Sequence, residues 1–154
     1  MKNFEIALKK GELGENIIRE YLEKKGWIVY FPFTKNKAHA FDMLCTYNKE
    51  KVIALDVKTK ARMNKYAAQG IDIRSYNEYL KFKKTMNINF FLVFVDDKNG
   101  DVYSFEIGSD IKNFVIGKII FWWLNDMKFI FNIGNDNIIK LTEYDQRNYK
   151  FKPI

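Results

Sequence analysis

The chain has 154 residues, of which 47% are hydrophobic and 29% are charged. This composition excludes a disordered chain and fits a single domain spanning residues 1–154. The formal net charge of +7 favours a polyanionic partner such as nucleic acid, although a lysine-rich surface also simply keeps a protein soluble. No apolar run approaches the ~20 residues of a membrane helix, and the first residues lack the apolar segment of a signal peptide. These two absences predict a cytoplasmic protein with no membrane partner, and the single cysteine, Cys45, which excludes an internal disulfide, agrees with a reducing compartment.

Residues 7–25 carry apolar side chains every three or four positions, which predicts an amphipathic helix. Gly11 and Gly14 fall on the apolar side of this helix. A glycine in a helix costs roughly 1 kcal/mol of helix propensity. We therefore expect both glycines to allow a close approach of the helix to a sheet. Gly26 is predicted to end the helix.

Short strands follow this helix. Apolar runs between polar turns predict strands at residues 27–33, 41–47, 51–58, 89–95 and 101–107. The strands on either side of the polar turn at residues 48–50 form a predicted hairpin. Residues 59–74 are predicted to be a loop. Ser75 is predicted to cap a helix that runs to Met86, with Glu78 completing a capping box.

The C-terminal part of the chain has a weaker pattern. We predict β segments at residues 115–124, 127–133 and 138–143, with a helix near Trp122 as an alternative. The element order indicates the α/β class, with a mixed sheet and helices on its faces. The expected arrangement is a core of about residues 8–110 and a β-rich C-terminal extension of about residues 111–154.

The predicted hairpin carries the strongest chemical signal. Side chains alternate across a strand, so Asp56 and Lys58 share one face of the strand at residues 51–58. Asp42 interrupts the neighbouring apolar strand and can lie close to Asp56 across the hairpin. Two carboxylates brought together repel each other, and Mg²⁺ relieves that repulsion, with the Val57 backbone carbonyl as a further ligand. The alternative is a surface ion pair of Asp56 with Lys58, with Asp42 as a turn residue.

A third carboxylate comes from the first helix. Glu12 points away from the apolar stripe, whereas Glu15 lies at the edge of the stripe and can reach a site beneath the helix. The alternative is that Glu15 is an amphipathic boundary residue paired with Arg19, four positions on.

These residues together resemble the PD-(D/E)XK nuclease superfamily, in particular its Holliday-junction-resolvase and restriction-endonuclease-like branches. The segments that carry the resemblance are Gly11-Glu-Leu-Gly-Glu15, Tyr21-Leu22, Gly26-Trp27, Phe41-Asp42 and Leu55-Asp-Val-Lys-Thr-Lys60. The resemblance covers about residues 8–95. It implies an α/β/α sandwich and divalent-metal cleavage of DNA. In two respects the chain departs from the pattern, since Phe41 stands where a proline is usual and the acidic member before Lys58 is Asp56, not glutamate.

The resemblance also implies roles for individual residues. Glu15, Asp42, Asp56 and Lys58 match the catalytic positions of the superfamily, with Glu15 reaching the metal directly or through water. Several branches place a polar residue after the lysine, and Gln69 is the candidate, with Asp72 as a second. The alternative for Gln69 is a loop amide that caps backbone groups.

Basic residues flank this set and are candidates for binding DNA phosphates. The candidates are Lys35, Lys37, His39, Lys60, Arg62 and Lys65. For each lysine, the alternative is a solvated surface charge. The single histidine and the single cysteine make a zinc site an unfavoured choice.

The sequence therefore predicts an Mg²⁺-dependent endonuclease acting on DNA, with Mn²⁺ as a substitute metal and branched or junction DNA as a candidate substrate. The alternative is a non-cleaving nucleic-acid-binding or protein-inhibitory protein on the same fold. The aromatic runs at residues 121–123 and 129–131 motivate that alternative, and they also provide a candidate homodimer surface.

Overall fold

The computed structural model describes residues 3–32 and 40–144. Its central sheet is mixed, with the strand order β1-β2-β3-β5-β6-β9. These strands are Ile28–Tyr30 (β1), Met43–Thr46 (β2), Val52–Thr59 (β3), Asn89–Val95 (β5), Asp101–Glu106 (β6) and Lys128–Asn132 (β9). The pair β3–β5 is parallel and the other pairs are antiparallel. The predicted hairpin of β2 and β3 is confirmed, with Met43 opposite Leu55.

A second, antiparallel sheet has the order β4-β8-β7. Its strands are Ala68–Asp72 (β4), Asn113–Ile116 (β7) and Ile119–Trp123 (β8). The helices are Asn3–Lys24 (α1), Ile73–Met86 (α2) and Asn135–Glu143 (α3), and a 3₁₀ turn covers Leu124–Asp126. No helix among the described residues is long and apolar enough to cross a membrane.

The central sheet is covered on both faces. On one face, α1 packs against β3 and β1, and α3 packs against α1, around a core that includes Ile17, Val57 and Leu141. On the other face, α2 and the second sheet enclose a core that includes Phe90 and Trp122. The predicted α/β/α sandwich with a central mixed sheet is confirmed, and the small second sheet shares one of its outer layers with α2.

Several local predictions were wrong. The predicted loop at residues 59–74 contains β4, which is held by pairing with the distant β8 and so gives no local signal. The cap of α2 is Asp72, not Ser75, and its Oδ1 accepts the Arg74 N–H at 2.8 Å. The segment 115–124 is divided between β7 and β8 by a turn in which Gly117 has a φ of 60°.

The segment 138–143 was predicted to be a β segment, but it belongs to α3. Its six residues are too few for apolar spacing to separate a strand from a helix. Leu141 is fully buried while Ile139 is 61% exposed. Burial of one side of α3 against α1 therefore decides the outcome.

Cys45 is free and fully buried in β2. Burial raises the pKa of its thiol to about 12, so the thiol stays protonated at neutral pH. This cysteine is part of the apolar core beneath α1, together with Met43 and Leu55.

Candidate active site

The hairpin of β2 and β3 brings the two predicted aspartates side by side. Asp42 lies just before β2, where its backbone N–H donates to the Leu55 carbonyl at 2.9 Å. The Asp42 side chain turns back to β3, and its Oδ2 accepts the Val57 N–H at 2.6 Å. The register therefore places Asp42 next to Asp56, as the sequence predicted.

Asp56 is a buried carboxylate at the centre of this site. It lies in β3 and is only 4% exposed. Its Oδ2 receives the Lys58 ammonium at 2.8 Å and the Tyr79 hydroxyl, which donates at 2.6 Å. Lys58 itself is partly open to solvent, with its side chain 35% exposed. The site therefore joins a buried anion to a cation that reaches the surface.

Glu15 completes the acidic set from α1. The Glu15 side chain is half-buried whereas Glu12 is exposed, in agreement with the choice made from the helical pattern. The pKa of Glu15 is raised by burial, then by Asp56 and by Glu12, while Lys58 and a hydrogen bond with Asp42 oppose the rise. Glu15 therefore lies within electrostatic reach of all three residues of the hairpin set.

Burial, and then like charges, disfavour the ionised carboxylates of this cluster. Burial raises the pKa of Asp42 to about 8, and Asp56 and Glu15 add to the rise, against the opposing effects of the Val57 N–H and Lys58. Burial lowers the pKa of Lys58, but the neighbouring Asp56 and Tyr79 outweigh it, so this pKa lies above its ordinary value. At neutral pH the cluster therefore holds a proton on Asp42 and a cation on Lys58.

The donor set suits a hard divalent cation. Carboxylate and backbone carbonyl oxygens are the ligands that Mg²⁺ prefers, and Mg²⁺ is usually held by one or two carboxylates together with waters and substrate phosphates. Within residues 3–32 and 40–144, no group of three or more His, Cys, Asp or Glu side chains is arranged to hold a metal ion. The two hairpin carboxylates, Asp42 and Asp56, therefore fit such a site, and Glu15 adjoins it through its hydrogen bond with Asp42.

Gln69 lies apart from these carboxylates in its hydrogen bonding. It is in β4, 2% exposed, and its side-chain amide donates to the Lys60 carbonyl at 3.0 Å. In return, the Lys60 ammonium donates to the Gly70 carbonyl. These two bonds fasten the end of β3 to β4. The contact of Gln69 agrees with the alternative of an amide that caps backbone groups, although Gln69 lies in a strand and not in a loop.

The predicted phosphate-binding residues have different surroundings. Burial, and then Lys58, lower the pKa of Lys60 to about 8. Arg62 is engaged in an ion pair, with its Nε 2.8 Å from Asp96 Oδ2. Lys65 is exposed, with its ammonium 5.3 Å from the centre of the Tyr66 ring. The other predicted residues, Lys35, Lys37 and His39, lie outside the described residues.

Tyr79 contacts the candidate site through Asp56, and it was not among the predicted residues. It lies on α2, and its ring belongs to the core beneath that helix. A usable signal was present, because a buried tyrosine hydroxyl and a buried carboxylate both require a hydrogen-bond partner. The apolar face of α2 and the face of β3 that carries Asp56 line the same core, so the tyrosine hydroxyl and the carboxylate can pair there.

No family model matches the chain, and no curated protein matches its sequence. Among solved structures, a Holliday junction resolvase from the archaeal hyperthermophile Archaeoglobus fulgidus is similar to the chain, with a TM-score of 0.58 and 11% sequence identity, over 79% of this chain and 92% of the resolvase. A bacterial homing endonuclease matches with a TM-score of 0.49 and 15% identity, over 92% of this chain and 95% of the endonuclease. At 11% identity the resolvase shows the fold alone. The chain therefore shares the mixed α/β fold of this resolvase.

Proposed function

We propose that this chain is a metal-dependent endonuclease that hydrolyses DNA phosphodiester bonds, with Mg²⁺ as its cofactor and Mn²⁺ as a substitute. The observation that carries the proposal is the meeting of Glu15, Asp42, Asp56 and Lys58 at one place in a nuclease-like fold. A basic chain of net charge +7 supports DNA as the partner.

In this proposal, Asp42 and Asp56 would hold the metal together with the Val57 backbone carbonyl, and Glu15 would reach it through a water molecule. The bound metal would polarise the scissile phosphate and lower the pKa of the attacking water. The electrostatics of Asp42 support such a role, because burial and then the neighbouring Asp56 and Glu15 hold its pKa near 8. A divalent cation would stabilise the ionised form of Asp42.

Lys58 would stabilise the negative charge that develops on the phosphate. Its Nζ is tied to Asp56 Oδ2 at 2.8 Å, and its side chain is 35% exposed, so the charge stays beside the carboxylates and open to a substrate. The raised pKa keeps Lys58 protonated at neutral pH, which favours charge stabilisation over removal of a proton from water. Direct roles of Gln69, Lys60, Arg62 and Lys65 in the reaction stay predictions.

Cleavage assays test this proposal. We expect cutting of at least one of three DNA substrates, a four-way junction, a duplex or a single strand, in Mg²⁺ or Mn²⁺ and not in EDTA. Asp56→Asn should lower the rate about 10³-fold or more, because it removes a ligand and the partner of Lys58. Asp110→Asn, which changes an exposed carboxylate in another part of the chain, is the matched control. No cutting by the wild-type chain, or equal cutting by Asp56→Asn, would reject the proposal.

The resolvase similarity makes branched DNA the first substrate to test, and junction cutting needs two sites and hence a dimer. The outward side of the second sheet offers a surface for this. Tyr66 and Trp123 are both 38% exposed, with ring centres 5.6 Å apart, and Phe114 packs on Trp123 at 4.7 Å. The predicted homodimer surface was residues 121–123 and 129–131, in which Trp122 is buried while Trp123 and Phe129 are exposed. The homodimer stays a prediction, which sedimentation velocity would decide. The cytoplasmic location is likewise part of the proposal.

The same aromatic surface supports the alternative, a non-cleaving nucleic-acid-binding or protein-inhibitory protein. Large exposed apolar surfaces often mark binding sites. Calorimetry separates the two proposals. Uptake of Mn²⁺ that is lost in Asp42→Ala favours the enzyme, whereas tight DNA binding in EDTA with no metal uptake favours the alternative.

A further inference from the structure

Tyr79 is held rigidly against the candidate active site. It is 8% exposed, and its ring stacks on Phe90 with the ring centres 5.1 Å apart. Both rings belong to the apolar core between α2 and the central sheet. Close packing holds such a ring in a single orientation. The position of its hydroxyl group relative to the site is therefore fixed.

That hydroxyl donates to one oxygen of Asp56, and it also accepts a hydrogen bond from the Lys58 ammonium. Tyr79 donates to Oδ2 at 2.6 Å, and Lys58 Nζ lies 2.8 Å from the same oxygen. Both donors thus use Oδ2. Among the contacts of the described residues, Oδ1 of Asp56 is left without a donor and keeps its lone pairs for a cation.

The two donors differ in stiffness. Lys58 reaches Oδ2 through a flexible four-carbon chain with a partly exposed end. Tyr79 reaches the oxygen through a planar ring wedged in the core. The orientation of the Asp56 carboxyl group therefore depends mainly on the tyrosine.

We infer that Tyr79 is a positioning residue, whose hydroxyl orients the Asp56 carboxylate so that Oδ1 is presented to a divalent cation. This inference rests on the proposed function, because it assigns Asp56 as a metal ligand. Hydrogen-bond partners of this kind typically change metal affinity about 10- to 100-fold when they are removed. Tyr79 is buried and acts through Asp56, so its effect should be seen in metal affinity before it is seen in the rate at saturating metal.

The test compares Tyr79→Phe with Tyr76→Phe. Tyr76 is a matched control because it lies on the same helix, packs on Trp122 with ring centres 5.1 Å apart, and has its hydroxyl hydrogen-bonded to the Gly108 backbone and not to the site. Three quantities are measured for each variant. They are the affinity for Mn²⁺ by calorimetry, the melting temperature in EDTA, and the cleavage rate of junction DNA as a function of Mn²⁺ concentration.

We expect Tyr79→Phe to bind Mn²⁺ at least about 10-fold more weakly than the wild-type chain. The Mn²⁺ concentration for half-maximal cleavage should rise by a similar factor, with much of the rate recovered at saturation. Tyr76→Phe should bind Mn²⁺ as the wild type does, even where its melting temperature falls equally. A merely structural role of the hydroxyl would change the melting temperature and leave the Mn²⁺ affinity unchanged.

The outcomes separate this inference from the proposed function. If Mn²⁺ binds, Tyr79→Phe weakens binding and no DNA is cut, the positioning role stands and the nuclease proposal fails. If DNA is cut and Tyr79→Phe has wild-type Mn²⁺ affinity, the inference is overturned and the nuclease proposal stands. If the wild-type chain binds no Mn²⁺, the inference is overturned as well.

Discussion

Within the described residues, the acidic cluster of the candidate active site and that of the turn between β5 and β6 differ in how their charge is balanced. In the turn between β5 and β6, Asp96 and Asp97 are 2% and 4% exposed. Arg62 Nε lies 2.8 Å from Asp96 Oδ2, and the Arg62 guanidinium also reaches Asp101 at 3.4 Å. Lys10 forms an ion pair with Asp97. The turn thus has cations of the chain itself on each of its three carboxylates.

The candidate active site is balanced less completely. Its three carboxyl groups, those of Glu15, Asp42 and Asp56, have one neighbouring cation, Lys58, which is paired with Asp56. The pKa values of Glu15 and Asp42 are raised by burial and by neighbouring carboxylates. Folding therefore disfavours ionisation of Asp42 and Glu15 here, whereas each carboxylate of the turn is paired with a cation. The carboxylates of the turn are neutralised by side chains of the protein, so a structural role explains them. The candidate active site has fewer cations than carboxylates, so it can bind a cation from solution.

The largest expected effect on the turn comes from Arg62→Ala. Removing the guanidinium leaves the Asp96 side chain, which is 3% exposed, without its cation. Breaking a buried ion pair in this way costs about 3 kcal/mol of unfolding free energy. Urea denaturation in EDTA measures the loss.

Lys65→Ala is the matched control for Arg62→Ala, since Lys65 is an exposed cation of the same loop that was also predicted to bind phosphate. It should leave the unfolding free energy within about 0.5 kcal/mol of wild type. If Lys65 contacts DNA, the variant should also reduce the salt dependence of DNA binding by about one counterion. Should Arg62→Ala weaken DNA binding and leave stability unchanged, Arg62 would belong to the DNA surface and the comparison of the two clusters would fail.

A smaller effect is expected where α1 delivers Glu15 to the acidic site. A Cβ added at Gly14 would overlap Thr59 Oγ1 and lie 3.0 Å from Thr59 Cβ, whereas one added at Gly11 meets no atom within 4 Å. Gly14→Ala should therefore cost about 2 kcal/mol of unfolding free energy through overpacking. Gly11→Ala should stabilise the chain by about 0.5–1 kcal/mol through helix propensity.

Chemical denaturation of both glycine variants measures this pair. Cleavage should also fall in Gly14→Ala, because the displaced helix moves Glu15 away from Asp42. Equal stability of the two variants would show that the helix does not depend on close contact at Gly14. The third carboxylate would then reach the cluster by some other means.

The site residues were predictable because their signals are local. Alternation in β3 puts Asp56 and Lys58 on one face, the short turn at residues 48–50 sets the hairpin register, and the helical period separates Glu15 from Glu12. The same period placed both glycines on the apolar side of α1. It could not tell that Gly14 alone lies against the sheet, because that depends on where the helix crosses Thr59.

The parts that the sequence did not reveal depend on distant partners. β4 exists as a strand because it pairs with β8, about fifty residues further on, and Gln69 owes its buried position to that pairing. The role of Arg62 depends on Asp96, which lies 34 positions away. The sequence does not show which carboxylate a basic side chain pairs with. Arg62 and Lys65 were therefore equivalent candidates for phosphate binding.

The smallest expected effect is a dependence of the unfolding free energy on pH, which should arise from the candidate active site and not from the turn. The Asp42 pKa is about 8 in the folded, metal-free chain, against an ordinary value of 3.8. Between these values the folded state binds a proton that the unfolded state has lost. The unfolding free energy should therefore fall as the pH rises from about 4 to about 8. Since Asp42 is only half-buried, we expect a loss of about 1 kcal/mol between pH 5 and pH 7 after solvent screening.

Asp42→Asn tests this dependence, because asparagine keeps an oxygen that can accept the Val57 N–H but does not ionise. In EDTA, the variant should match the wild-type chain near pH 4 and be the more stable of the two at pH 7, as thermal melts across this range would measure. In the wild-type chain, Mn²⁺ affinity should rise with pH up to about 8, since binding displaces the Asp42 proton. If the melting temperatures of the two proteins change with pH in the same way, the raised pKa of Asp42 is contradicted. A variant that is more stable at pH 7 yet cuts no DNA would show that the Asp42 carboxyl group lowers the stability of the metal-free chain and is still required for cleavage.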